Sequence, residues 1–251
     1  MGYVMLCAAG VGLATVIGSL LAFFVKSIPP RVNDGILSFA AGIMLGAAFF
    51  SLILPAYNAS EHSIWLCSAG IIAGAVIVRL MDRFIPHMHQ LFHTEQSGTE
   101  AQPNARLDRV MLFVIAIAIH NLPEGMAVGV SFGSGDTSNA LSIAIGIALQ
   151  NLPEGMITIL PLLLAGVKKP RAFAVALFTG LTEVAGALFG YLAVSVASAV
   201  LPFVLAFAGG TMLYVVCHDM IPETHGGGHA DTASFALIGG LVAMLFIQYL
   251  V

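Results

Sequence analysis

Charge is the scarcest thing in this chain. Asp, Glu, Lys and Arg together make up 9% of its 251 residues against 59% hydrophobic ones, and the mean hydropathy is +0.97. A soluble domain usually carries about 25% charged residues, so a water-facing globule is excluded and the bilayer becomes the expected solvent. Cysteine is nearly absent as well. Cys7, Cys67 and Cys217 lie in or beside apolar segments without CxxC spacing, which argues against a disulfide framework or a thiolate zinc site and leaves small membrane-buried hydrophobes. HExxH and GxS-type nucleophile motifs are missing, which removes the sequence marks of an intramembrane metalloenzyme and leaves no enzyme activity to expect. No basic leader precedes the first apolar run, so that run is expected to be a retained helix rather than a signal peptide.

Apolar length is abundant. A spanning helix needs roughly 20 mostly apolar residues, and eight stretches qualify: Tyr3–Val25, Gly35–Tyr57, Ser63–Leu80, Val110–Phe132, Ala140–Ala165, Ala172–Val196, Val200–Met220 and Ala233–Val251. The expected fold is all-α, a single polytopic membrane domain over residues 1–251, with one long flexible connection at about 81–109 between the third and fourth spans. All nine basic residues (Lys26, Arg31, Arg79, Arg83, Arg106, Arg109, Lys168, Lys169 and Arg171) fall on one side of this arrangement, while the opposite loops carry Glu61, His62 and Asp136. The positive-inside rule makes the basic side cytoplasmic and puts both termini outside. The bilayer is thus the first expected partner, and nucleic acid is not expected as one.

Two runs break the apolar monotony in the same way. "IAIHNLPEGMAVG" (Ile117 to Gly129) is followed thirty positions later by "IALQNLPEGMITI" (Ile147 to Ile159). An ionised carboxylate in hydrocarbon costs at least ~3 kcal/mol on insertion scales, so Glu124, Glu154 and the mid-span Glu183 each need a partner, a cavity or a proton. His120 and Glu124 share a helix face, as do Gln150 and Glu154, with Asn121 and Asn151 beside them. Pro123 and Pro153 withhold an N–H and crowd the carbonyls of Ile119 and Leu149, so kinks are expected there, and Gly125 and Gly155 permit close approach. If the fourth and fifth spans pack face to face, one imidazole nitrogen, three amide oxygens and two carboxylates converge into a divalent-cation site. Without thiolate, the set suits zinc, iron(II), manganese or cadmium better than copper(I). Glu183, among Gly180, Gly186 and Gly190, is a candidate third carboxylate.

Other polar groups are weaker signals. His218, Asp219, Glu223 and His225 flank Pro222 at the end of the seventh span, as an exit-side relay or as an ordinary helix terminus meeting water. His225 and His229 belong to a glycine-rich loop on either reading. His87, His89 and His93 in the long loop are transient metal ligands or incidental residues. Met44 and Ser51 share one face of the second span and either line an outer entrance or belong to the core.

Taken together, "HNLPEG", "QNLPEG", "HDMIPETH" and a histidine-bearing loop over eight spans resemble the ZIP (Zrt/Irt-like) family of divalent metal transporters, in its bacterial form, across essentially the whole chain. The resemblance implies a 3+2+3 helix arrangement with the fourth and fifth helices central, a homodimer, and import of zinc into the cytoplasm across a bacterial inner membrane by an elevator-like alternating access. It implies a binuclear site: His120, Glu124, Gln150 and Glu154 around one metal, and Asn121, Asn151 and Glu183 around the second, with Glu124 and Glu154 bridging. It implies Met44, Ser51 and Met212 on the outer approach and His218, Asp219 and Glu223 toward the exit, with the metal as cargo and no cofactor. Many members have His where this chain has Gln150, and some have Asp where it has Asn151, which puts metal preference in question. A metal-selective channel built from the same ligands is the rival reading.

Overall fold

In hydrocarbon a backbone must satisfy its own N–H and C=O groups, and for an open chain the helix is the structure that does so. The computed structural model describes residues 2–25, 28–84, 121–164, 166–196 and 198–251, and among them there is no strand. The described residues form eight helices: α1 (Gly2–Leu21), α2 (Pro30–Ala59), α3 (Ile64–Phe84), α4 (121–133), α5 (Thr137–Leu164), α6 (Lys169–Val196), α7 (Leu201–Gly226) and α8 (Ala230–Leu250). Over the described residues, six of them (α1, α2, α3, α6, α7 and α8) are long and apolar enough to cross a membrane. At 28 residues, α5 is about 42 Å long. The protein is an all-α polytopic membrane protein.

Several ends differ from those expected. Helix α2 begins at Pro30 rather than Gly35, because a proline at the first helical position gives up an N–H that would be unpaired there anyway. Helix α7 runs on to Gly226 instead of stopping at Met220, so His225 sits on its last turn and not in a loop. Both long helices absorb an interior proline through a π-helical turn, at Ala47–Ile53 ahead of Pro55 and at Val216–Met220 ahead of Pro222. The wider turn accommodates the proline ring where a regular α-turn would clash. At Pro153 the helix continues unbroken, whereas the turn ahead of Pro123 lies outside the described residues.

Packing divides the helices into two sets. Helix α1 lies against α5 and α6, while α2 packs on α8, α3 on α7, and α7 on the π-turn of α2. Helix α4 crosses α6 through glycine. A Cβ at Gly125 would fall on the backbone of Glu183 and one at Gly129 on that of Ala187, while the reciprocal faces at Gly186 and Gly190 meet Leu122 and Met126. Such contact is available only to residues without a side chain, as is common between membrane helices. The sets {α1, α4, α5, α6} and {α2, α3, α7, α8} meet mainly where α5 lies along α2 and α8. Ile43, Met44, Ile143, Ile147, Met212 and Met244 form the buried apolar centre of that contact. At one end, Lys169 Nζ donates to the Phe23 carbonyl at 3.3 Å, tying the basic 5–6 connection to the 1–2 connection.

Candidate metal site

The repeated hexapeptides place their polar side chains on facing helices, and α6 and α1 close the group. Glu124 of α4 and Glu183 of α6 are each 1% exposed and Gln150 of α5 is fully buried. Gln150 Nε2 donates to Glu124 Oε1 at 2.7 Å. Glu183 gathers three donors: Thr15 Oγ1 to Oε1 at 2.5 Å, Asn121 Nδ2 to the same oxygen, and Asn151 Nδ2 to Oε2 at 2.8 Å. Glu154, one helical turn beyond Gln150, is partly buried and close enough to repel both other carboxylates.

This answers the charge problem only in part. Neutral N–H and O–H donors lower the cost of a buried carboxylate but bring no opposite charge. Four acceptor oxygens in the same buried group, Asn121 Oδ1, Glu124 Oε2, Gln150 Oε1 and Asn151 Oδ1, have no hydrogen-bond partner among the described residues. Buried acceptors left over in this way are rare in native structures and call for an explanation. Hard or borderline oxygen donors with surplus negative charge suit a divalent cation. Among the described residues no three His, Cys, Asp or Glu side chains cluster into a ready ion cage, so a cation here must draw on amide oxygens as well.

Of the metal ligands expected from sequence, Asn121, Glu124, Gln150, Asn151, Glu154 and Glu183 are thus brought together; His120 and the loop residues His87, His89 and His93 lie outside the described residues. Thr15 was not foreseen. A threonine in an apolar helix carries no motif, and its role depends on α1 packing against α6. Ser19, one turn on, donates to the Gly155 carbonyl at 3.2 Å and fixes α1 against the second hexapeptide.

The remaining candidates are elsewhere. Met44 and Met212 are buried in the apolar core between the two helix sets. Ser51 is on the π-turn of α2 and donates to Gln248 Oε1 at 2.6 Å. His218 and Asp219 are on the π-turn of α7, with the His218 ring 4.9 Å from that of Tyr214, and Glu223 follows one turn later. His225 Nδ1 lies 2.9 Å from the Ile221 carbonyl and its Nε2 is 3.2 Å from Ser234 Oγ, so its ring is engaged locally. His229 is the residue just before α8.

The sequence model described as "ZIP Zinc transporter" matches residues 90–248 of this chain. The chain belongs to the ZIP family. Similar relatives include zinc transporter ZIPB of Bordetella bronchiseptica, 39% identical over 98% of this chain and 81% of that protein. Zinc transporter GufA of Myxococcus xanthus is 37% identical over 94% of both chains, and zinc transporter ZIP11 of Homo sapiens is 32% identical over 93% of both. ZIP proteins are membrane transporters rather than enzymes, and the buried carboxylate and amide group of α4, α5 and α6 is this ZIP chain's candidate site for a divalent metal.

Proposed function

We propose that this protein carries zinc, and with it cadmium, iron(II) and manganese, across the bacterial inner membrane into the cytoplasm. The cargo site is binuclear and formed by His120, Asn121, Glu124, Gln150, Asn151, Glu154 and Glu183. The observation that carries this reading is the pair of buried glutamates, Glu124 and Glu183, held by neutral donors and surrounded by leftover amide oxygens. Two divalent cations against three ionised glutamates leave a net charge of about +1, far easier to hold in a membrane than three bare carboxylates. The amide groups suit both states. Turning the soft terminal torsion of Gln150 exchanges an N–H aimed at Glu124 for an oxygen aimed at the metal. Asn121 and Asn151 do the same beside Glu183.

The nine basic residues support the orientation, with their side cytoplasmic and both termini outside. Met44, Ser51 and Met212 then lie on the outer approach and His218, Asp219 and Glu223 on the inner path. The division into two helix sets supports alternating access by movement of {α1, α4, α5, α6} against {α2, α3, α7, α8}. The reading extends to a homodimer, which a mass determination of the intact protein in detergent checks. The deciding experiment is uptake of zinc, cadmium, manganese and iron(II) into liposomes containing the purified protein. Saturable uptake is expected, lost in Glu124→Ala and re-ranked among metals in Gln150→His. Full uptake by a well-folded Glu124→Ala protein would sink the proposal, and a rate that stays linear in metal concentration would make the protein a channel.

A further inference from the structure

A trough of about 740 Å³ runs down the outside of the junction between the two helix sets, a volume within the range of small-molecule sites. Its walls are Phe39 and Ile43 of α2, Leu149 and Pro153 of α5, and Ala236 and Ala243 of α8. Phe39 and Leu149 remain exposed on its rim. The lining is almost wholly apolar except at one end, where Arg31 and Thr232 stand. From Thr232 to Ala243 the trough follows eleven residues of α8, about 16 Å of helix, which is the depth of one leaflet of a hydrocarbon core ~30 Å thick.

The polar end opens into a second, smaller hollow of about 300 Å³ that shares Arg31 and Thr232 and adds His229, Ala230 and Asp231. Arg31 Nε donates to Thr232 Oγ1 at 3.0 Å, which fixes the guanidinium across the mouth. No carboxylate among the described residues pairs with it, and Asp231 is exposed in the same hollow. The site therefore offers an apolar slot one leaflet deep, a positive group at its mouth, and a negative group just beyond. We propose that this is a phospholipid site that takes phosphatidylethanolamine: an acyl chain in the trough, the phosphate on Arg31, and the primary ammonium on Asp231. Arginine forks onto phosphate oxygens, and an ammonium retaining its N–H groups donates to a carboxylate where a trimethylated one does not. The lipid would lie along α5 beside Leu149 and Pro153, on the helix that also carries Gln150 and Asn151.

The test is native mass spectrometry of the full-length protein in detergent with palmitoyl-oleoyl phosphatidylethanolamine, phosphatidylcholine and phosphatidylglycerol. The wild type should retain the ethanolamine lipid over the other two. Arg31→Ala should lower retention of all three roughly fivefold. Asp231→Asn should abolish the preference for ethanolamine over choline while leaving choline retention unchanged. Ala236→Trp, which fills the trough, should remove the adduct. Arg31 and Asp231 are exposed, so their variants carry the test even if Ala236→Trp fails to fold. Wild-type retention in both Arg31→Ala and Asp231→Asn overturns the proposal, as does a preference for phosphatidylglycerol. A dimer that forms without lipid and is lost in Ala236→Trp would give the trough to a second copy of the chain and overturn it equally.

Discussion

Thr15 shows how much a single hydroxyl decides at this site. It supplies one of the three donors to Glu183, and hydrogen bonds between membrane helices are worth roughly 1–2 kcal/mol in model systems. Thr15→Val keeps the shape and removes the donor, leaving a carboxylate oxygen with less compensation. The metal-free protein should therefore lose stability by about that amount in a thermal unfolding measurement. Thr15→Ser should restore most of the loss, and a Val variant as stable as the wild type would mean the contact contributes nothing. The six described candidate ligands were legible as residues because the hexapeptide repeats and because carboxylates in an apolar run are conspicuous. Thr15 was not, since nothing local separates it from a threonine that bonds its own backbone.

Among the elements, α4 and α6 depend on each other through glycine. Gly129 is not among the candidate metal ligands, and its missing Cβ makes room for the Ala187 backbone. Gly129→Ala forces the helices apart, a change that typically costs about 1–3 kcal/mol. Gly10 of α1 is the control, because a Cβ there meets open space; Gly10→Ala should be neutral or stabilising by up to about 1 kcal/mol. Comparing the unfolding midpoints of the two variants checks the pair, and similar behaviour would contradict the close crossing. The π-turns belong to this scale too. Pro55 brings no N–H to the Ser51 carbonyl one turn back, and Asn139 Nδ2 of α5 donates to it at 2.9 Å. The prolines were readable in sequence; which of them would widen the helix was not, because Pro153 is accommodated without it.

For the whole molecule, what matters is how the two helix sets are joined. Ser51 of α2 donates to Gln248 of α8, Gln248 Nε2 donates to Asn139 Oδ1 at 3.2 Å, and Asn139 returns to the Ser51 carbonyl, closing a polar ring across α2, α8 and α5. Nearby, Ser138 Oγ donates to the carbonyl of Val251. These bonds hold the sets together at the end opposite the basic connections. Gln248→Leu leaves two polar groups of the ring without partners and should favour separation there. Ala140, fully buried on α5 beside Asn139, is the place to read it. In a Cys217→Ser background, Ala140→Cys should react with a membrane-impermeant maleimide roughly tenfold faster when Gln248→Leu is added, for a loss of about 1.4 kcal/mol. Equal labelling rates would show that the ring does not hold the sets together.

Composition settled the solvent, and apolar runs of roughly 20 residues settled the helical class, because a backbone in lipid is satisfied only by helices or a closed barrel, and barrel strands are shorter and alternate polar with apolar. The doubled NLPEGM settled the family and most of the candidate ligands, since carboxylates at fixed places in apolar helices have few other uses. Tertiary structure decided the rest. That Glu183 is held by α1, that α4 meets α6 through bare backbone, and that two sets of helices meet along α5 depend on which faces pack together. Lipid-facing and protein-facing positions are equally apolar, so hydrophobic periodicity does not tell one face from another in a membrane. Only the packed helices bring a threonine, an arginine or a glutamine from distant parts of the chain to the places where they act.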